Sequence, residues 1–218
     1  APTLVFDQRF NPGNRPRLGL GYSVFGVAAL LSRAKALTFS AAEASDAIRA
    51  LRATVRTVSP DVPALRNVAK RLAARLVHKA ILWSGAEHLE GAVHAVTNMT
   101  NETGKHLAFW QPIPELNHHF MEGLGFPKSS VKQVAAVLVR SGLYTPRVAT
   151  RFPLTADVFR KNGVAVEELK LTERAPLRQA MELLMLGAHT AYFLALAHSV
   201  NPSPNPWVDY FKKALGPP

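Results

Sequence analysis

The chain has 218 residues, of which 48% are hydrophobic, and it contains no cysteine. This length allows one large domain or two small ones, and the missing thiols exclude disulfides, thiolate metal sites and a cysteine nucleophile. The formal net charge of +11 keeps nucleic acid among the possible partners. The basic residues, however, alternate with apolar residues at helical spacing, so solvated helix faces are the favoured interpretation and nucleic-acid binding is not expected.

The first third of the chain has the periodicity of helices. Apolar residues spaced by three and four occupy segments 27–37 and 44–55, and Ser40 precedes the second segment as a helix cap. A third helix is predicted over about 64–77. Its predicted inward-facing residues are Leu65, Val68, Leu72 and Leu76.

From residue 80 onward, short apolar segments alternate with helical ones, which is typical of a doubly wound parallel sheet. Strands are predicted at 80–83, 106–111, 134–139 and 164–171. Helices are predicted near 86–99, 116–123, 155–163 and 176–200, with a final helix that turns Trp207, Val208, Phe211 and Leu215 inward. The predicted fold class is α/β, flavodoxin-like: residues 1–78 form a linker and helical segment packing on the sheet, and residues 79–218 form the α/β domain.

No segment has the sequence of a membrane span or a signal peptide. Charged, glycine or histidine residues interrupt every candidate before it reaches 18 apolar residues, so no membrane association is predicted. The first residues lack the charged-then-apolar order of a signal peptide, and the chain has no initiator Met. We therefore expect a trimmed chain or a piece of a longer one, and the absence of cysteine fits the cytoplasm.

Loops at the carboxyl ends of the strands are the first place to look for a ligand site. The Ser84-Gly85 turn follows the first predicted strand and leads into a helix, where backbone N–H groups and the helix dipole can bind an anion. A plain strand-to-helix turn is the simpler interpretation of the same residues.

Glu102 is predicted at the C-terminus of the helix that begins near residue 86, where a carboxylate opposes the helix dipole. Local rules leave this placement unexplained, so we expect a tertiary reason for it. His118 follows the second strand. The alternative is that Glu102 is exposed and that His118 and His119 are surface or capping residues. Adjacent histidines in a helix point about 100° apart, and no third ligand is near, so no metal site is predicted.

Three ordered motifs resemble those of the bifunctional phosphoglucose/phosphomannose isomerase family, a branch of the sugar isomerase (SIS) superfamily. NETGK at 101–105 and PELNHH at 114–119 resemble the family's N-E-N-(S/A)-K and P-E-L-N-H-N. RPRLGLGYS at 15–23 resembles its P-R-x-x-L-G-Y-S segment, and NPSPNPWVDYFKKAL at 201–215 resembles its closing D-P-T-P motif. The resemblance covers essentially the whole chain, but it is to the second half of such an enzyme, so the fold expected is SIS-type.

The resemblance implies isomerisation of glucose 6-phosphate or mannose 6-phosphate to fructose 6-phosphate, without cofactor or metal. By the family pattern, Glu102 moves the proton between C1 and C2, and His118 opens the sugar ring in the active site of the neighbouring subunit of a homodimer. Arg17 stabilises the enediolate, and Lys212, or its neighbour Lys213, contacts the substrate.

Three departures from the family pattern stand close to these residues. Thr103 replaces the second Asn of N-E-N, His119 replaces the last Asn of P-E-L-N-H-N, and Ser203 replaces the Thr of D-P-T-P. Ser84, Gly85 and Ser203 are the candidate substrate-binding residues. The loops with which the family binds the substrate phosphate belong to a first SIS domain, which this sequence lacks. A non-catalytic SIS module that binds a phosphosugar or a protein partner is therefore the alternative function.

Overall fold

The computed structural model describes residues 3–216, apart from the side chain at position 130. Within this range the sheet consists of the parallel strands β1 (Ala80–Ser84), β2 (Ala108–Trp110), β3 (Val134–Arg140) and β4 (Ala165–Lys170), in the order β2-β1-β3-β4. The α-helices are α1 (Leu20–Arg33), α2 (Ala41–Val58), α3 (Val68–Leu76), α4 (Glu90–Glu102), α5 (Glu115–His118), α6 (Lys128–Val131), α7 (Pro146–Lys161), α8 (Pro176–Ala197) and α9 (Pro206–Leu215).

The predicted α/β fold with a parallel sheet is confirmed. Strands β1 and β3 pair at the centre, where Trp83 is opposite Val137, and the inner residues of β3 are all buried. Helices on both faces bury the two sides of such a strand, which explains why its sequence is continuously apolar. Full burial of one such aliphatic side chain contributes about 1.5–3 kcal/mol.

Helices α4 and α8 pack against each other on one face of the sheet. A side chain at Gly187 of α8 would overlap Val96 of α4, so glycine is what lets the two helices approach. Helix α8 is long and apolar enough to cross a membrane, but 61% of its apolar window is buried inside the protein. That degree of burial is expected for the central helix of a globular core.

Helices α2 and α3 also pack on α8. Ser40 and Glu43 form a reciprocal capping box at the start of α2, as the position of Ser40 predicts. The inward orientation predicted for Leu65 is wrong, because its side chain is 88% exposed. Helix α3 begins only at Val68, and the Asn67 side chain caps it, so Leu65 lies in the preceding turn.

Helices α1 and α9 differ from the others, since neither contains a buried residue. The prediction that α9 turns its apolar residues inward is therefore wrong, and Trp207 is 82% exposed. The other three residues of that predicted face are also exposed: Val208, Phe211 and Leu215. The periodicity of α9 gives its apolar side correctly, but no part of the described chain covers that side.

Candidate active site

Glu102 is the last residue of α4, as predicted, and the helix dipole is unfavourable for a negative charge at this end. The chain then turns sharply towards β2 through Gly104. A Cβ atom at Gly104 would lie 2.6 Å from the carbonyl oxygen of Thr100 and 3.2 Å from that of Ala191 in α8. Only glycine allows the end of α4 to approach α8 this closely, so Gly104 fixes the position of Glu102.

Arg17 supplies the tertiary partner that the position of Glu102 requires. Its Nη1 lies 3.3 Å from Glu102 Oε2, and the Arg17 side chain is 5% exposed while that of Glu102 is 40% exposed. Arg17 Nε donates to Thr103 Oγ1 at 2.9 Å. Arg17 Nη2 donates to the carbonyl oxygens of Pro202 at 3.0 Å and Ser203 at 2.8 Å. One guanidinium thus joins three separate segments of the chain.

The hydrogen bonds of Arg17 leave it little capacity for a ligand. A guanidinium has five N–H groups. The single Nε hydrogen and both Nη2 hydrogens are donated to protein oxygens, and one Nη1 hydrogen faces Glu102. Within the described part of the chain, one Nη1 hydrogen remains for another acceptor.

Lys105 and Asn205 complete the surroundings of the carboxylate. Asn205 Nδ2 donates to Glu102 Oε2 at 2.9 Å. Lys105 Nζ donates to Asn205 Oδ1 at 2.9 Å and to the backbone oxygens of Glu102 and Pro204. Burial, and secondarily the charge of Arg17, lowers the pKa of Lys105. Lys105 also has a φ of 51°, a left-handed conformation that costs a non-glycine residue about 1–2 kcal/mol.

A cavity of about 590 Å³ lies beside Glu102. This volume is within the ordinary range for a small-molecule site, about 300–1,000 Å³. Apolar residues form one part of its wall: Leu107, Val200, Pro206, Trp207 and Val208. Polar residues form the other: Asn101, Glu102, Lys105, His106, Asn201 and Asn205. We refer to it below as the Glu102 groove.

Two stacked histidines lie at the groove, with His106 in its wall. His106 Nε2 lies 2.6 Å from the carbonyl oxygen of Lys79, which can only accept, so this nitrogen carries a proton. In the neutral ring Nδ1 is then an acceptor, and His198 Nε2 donates to it at 2.9 Å. Burial, with the neighbouring His106 and His78, lowers the pKa of His198.

His118 and Lys212 are surface residues that do not contact Glu102. His118 is an exposed residue of α5, and Lys212 and Lys213 are exposed residues of α9. Among the described residues none of the three has a hydrogen bond or ion pair with Glu102. The structure of one chain thus brings Glu102, Arg17 and the backbone of Ser203 together, and it leaves His118 and Lys212 outside that contact network.

The Ser84-Gly85 turn is enclosed by protein. Ser84 is fully buried, and within the described chain its hydroxyl has no hydrogen-bond partner. A Cβ atom at Gly85 would lie 2.7 Å from Val93. The next N–H, of Ala86, donates to the hydroxyl of Tyr144 at 3.1 Å and is not available to an anion. A substrate at Ser84 and Gly85 would require Tyr144 to move, and the role of these residues stays a prediction.

The described residues contain no group of three or more histidine, aspartate or glutamate side chains arranged to hold a metal ion. What the groove offers is acid–base chemistry: a carboxylate beside an arginine, with a hydrogen-bonded pair of histidines nearby.

Residues 65–215 match the family model of the bacterial phospho-glucose isomerase C-terminal SIS domain. The chain belongs to this family. A bifunctional phosphoglucose/phosphomannose isomerase of Caldicellulosiruptor bescii is 24% identical over 204 residues, which are 93% of this chain and 60% of that protein. The family resemblance inferred from the NETGK and PELNHH motifs is therefore confirmed.

Solved structures agree with the fold of this SIS domain. A glucose-6-phosphate isomerase-like protein from Thermus thermophilus is 27% identical, with a TM-score of 0.62 over 74% of this chain and 55% of its own. Glucosamine-6-phosphate deaminase from Thermotoga maritima has a TM-score of 0.64 over 93% of this chain and 58% of its own, at 11% identity, which shows the fold alone. The chain thus spans less than two thirds of these relatives.

Three site residues carry no role in the sequence interpretation. Lys105 belongs to the NETGK motif, and its place three residues after Glu102 was the signal that could have identified it as a site residue. Thr103 was noted only as a departure, yet its hydroxyl accepts from Arg17. Asn205 lies between two prolines far from the motif, and no spacing rule connects it to a carboxylate 103 residues earlier.

Proposed function

We propose that this SIS domain supplies the acid–base residues of a phosphosugar aldose–ketose isomerase. The reaction converts glucose 6-phosphate or mannose 6-phosphate to fructose 6-phosphate. The single observation that supports this proposal best is the Arg17–Glu102 pair at 3.3 Å beside the Glu102 groove. The two residues come from separate motifs, and each falls on the family position for the corresponding role.

The chemistry assigned to the pair is a proton transfer between adjacent carbons. Glu102 removes the proton from C2 of the open-chain aldose and, as the carboxylic acid, returns it to C1. The hydroxyl on O2 loses its proton and O1 gains one, so the carbonyl group moves from C1 to C2. Negative charge develops on the sugar oxygens of the enediolate between the two steps. The Nη1 hydrogen of Arg17 that has no protein acceptor among the described residues can stabilise that charge.

Ring opening and phosphate binding are assigned outside this contact network. His118 opens the ring from the neighbouring subunit of a homodimer, which agrees with its exposed position on α5. Lys212 or Lys213 contacts the substrate, and a first SIS domain, in the same chain or in a partner, binds the phosphate. No cofactor or metal takes part, and the cytoplasm is the proposed compartment.

One observation favours a non-catalytic phosphosugar-binding module as the second candidate. Most N–H groups of Arg17 are donated to protein oxygens, and an ion pair of that kind can simply hold the loop at 202–205 against α4. In such a module Glu102 would be a structural residue, and its removal would change stability without changing any turnover.

The test is formation of fructose 6-phosphate from each aldose phosphate by the complete gene product. Glu102→Gln keeps the shape and a hydrogen-bond acceptor but removes the base, so we expect kcat to fall about 10²- to 10⁴-fold. Glu90→Gln removes the same charge from the other end of α4 and should leave kcat within about twofold.

The outcomes separate the two functions. No turnover by the wild-type gene product, with measurable binding of glucose 6-phosphate by calorimetry, would overturn the isomerase and favour the binding module. Turnover that Glu102→Gln leaves unchanged would overturn the assignment of Glu102 as the base.

A further inference from the structure

The side chain of Asn205 does not cap the helix that it precedes. Asn205 occupies the N-cap position of α9, where asparagine normally accepts a hydrogen bond from the first helical turn. No such bond is present at the start of α9. Its amide instead spans the distance to α4, where Nδ2 donates to Glu102 Oε2 at 2.9 Å.

Lys105 fixes which way the amide faces. Its Nζ lies 2.9 Å from Asn205 Oδ1, and an ammonium group can only donate. Rotating the amide by 180° would place NH₂ against the ammonium and two acceptor oxygens against each other. The network therefore permits one orientation, with the NH₂ group on the carboxylate.

The backbone on either side restricts the amide further. Pro204 and Pro206 flank Asn205, and each proline fixes its own φ and limits the residue before it. Lys105 also donates to the carbonyl oxygen of Pro204. The loop is thus attached to the end of α4 both by its side chain and by its backbone.

Both donors to the carboxylate use the same oxygen. Arg17 Nη1 and Asn205 Nδ2 contact Glu102 Oε2, and within the described chain no hydrogen bond reaches Oε1. Two donors from separate segments restrain this oxygen more than one donor would. Oε1 is consequently the oxygen available to accept a proton.

We propose that Asn205 is a positioning residue, which together with Arg17 holds Glu102 by Oε2 so that Oε1 carries out the proton transfer. The inference rests on the proposed isomerase function of the Glu102 groove. Lys105 acts one step further away, since it orients Asn205 and does not touch the carboxylate oxygens. Misplacing a catalytic group by about 1 Å can cost on the order of 10²-fold in rate, which is the scale of effect that this positioning controls.

The charged groups around the carboxylate define how its titration should respond. Arg17 faces Glu102 from the segment before α1, and Lys105 lies beside it after α4. Arg15 and Asp209 act on Lys105 from other elements. Replacing Asn205 by aspartate removes the donor to Oε2 and adds a negative charge to this set. Like charges raise the pKa of a carboxyl group, so the pKa of Glu102 should rise.

The experiment compares Asn205→Asp with Asn162→Asp in the complete gene product. Asn162 is exposed at the end of α7 and does not line the Glu102 groove, so its replacement adds the same charge outside the site. The pKa of Glu102 is followed by carbon-detected NMR of its labelled carboxylate. We expect Asn205→Asp to raise that pKa by about one unit and Asn162→Asp to change it far less.

Turnover gives the second readout. For Asn205→Asp we expect kcat to fall about 10- to 100-fold with KM nearly unchanged, and the acid limb of the pH profile to move up with the pKa of Glu102. Asn205→Ala removes the donor without adding charge and should lower kcat similarly. Circular dichroism checks that each variant is folded, and Asn205→Ala replaces Asn205→Asp if the latter unfolds.

The results distinguish an error in the inference about Asn205 from an error in the proposed function. A Glu102 pKa that does not respond to either Asn205 variant overturns the inference, whatever the activity. A shifted pKa with an unchanged kcat overturns the positioning role and leaves Asn205 as a structural contact. A wild-type protein without isomerase activity overturns the proposed function instead, and with it the catalytic meaning of the coupling.

Discussion

The carboxyl edge of the central strands and the end of α4 are two regions of this SIS domain that are built in opposite ways. At the carboxyl edge of β1 and β3, the Tyr144 side chain lies in the crevice, accepting from Ala86 N–H and donating to the carbonyl oxygen of Val139. The Ser141 hydroxyl is likewise bonded to the buried Gln179. At the end of α4, three segments of the chain converge, and the Glu102 carboxylate there faces a groove.

The difference shows that sheet topology alone does not tell where an open groove lies. A doubly wound sheet favours ligands where the strand order reverses, and here that place is between β1 and β3. Buried side chains fill the space between β1 and β3, and they form hydrogen bonds with the polar groups there. The end of α4 lies at the helical face of the fold, where loops from both ends of the chain meet and leave the Glu102 groove open.

Arg17→Ala should have the largest effect on stability and on kcat. A small effect would contradict the difference drawn between the two regions. The substitution leaves two carbonyl oxygens without their donor and removes the positive charge beside Glu102, whose carboxylate keeps only the hydrogen bond from Asn205 among the described residues. We expect the free energy of unfolding to fall by about 3 kcal/mol in urea titrations, and kcat to fall about 10²- to 10³-fold.

Arg49→Ala is the matched control for Arg17→Ala. Arg49 is exposed on α2 and pairs only locally with Asp46, so its removal should change stability by less than about 0.5 kcal/mol. Equal losses for the two variants would mean that Arg17 does not anchor the site.

Tyr144→Phe tests the other region and should have an intermediate effect. The phenylalanine ring fills the same space, but Ala86 N–H loses its acceptor in a buried position. Stability should fall by about 1–3 kcal/mol, while kcat stays within about twofold because Tyr144 does not contact the Glu102 groove. A tenfold loss of kcat in the folded variant would show that the β1–β3 edge takes part in the reaction.

The smallest expected effect is on the pH dependence of stability, and it concerns His198 at the Glu102 groove. Because the pKa of His198 is lowered in the folded chain, the unfolded chain takes up its proton more readily, so acid favours unfolding. Stability should therefore fall as the pH drops through 6.5, the ordinary value, towards the lowered pKa. His198→Asn should make the unfolding midpoint depend less steeply on pH below 6.5. An unchanged pH dependence would show that the His106–His198 pair carries no such linkage.

Much of the fold could be predicted from the sequence because apolar runs and periodicity report local structure. The segment 80–83 predicted a strand, and β1 occupies it with one further residue, Ser84. The prediction for Leu65 is wrong because the apolar pattern continued past the Asn67 cap, where the helix had not yet begun. For Trp207 the pattern gave the correct apolar side but held no information about what covers it.

The site was predictable only in part, and for a different reason. Glu102 and Arg17 are 85 residues apart, so no spacing rule pairs them, and only the family motifs placed both in one site. The unfavourable helix end at Glu102 did indicate that a tertiary partner exists. Asn205 could not be found, since its contact depends on how a proline-flanked loop folds back onto α4.

The exposed apolar side of α9 has a consequence for handling this chain in solution. An isolated helix of 10 residues is marginal in water, and large exposed apolar patches promote association. Hydrogen exchange should thus be fast in α9 and slowest in β3. Melting temperature should rise with protein concentration, because any contact that covers this side of α9 stabilises only the folded form.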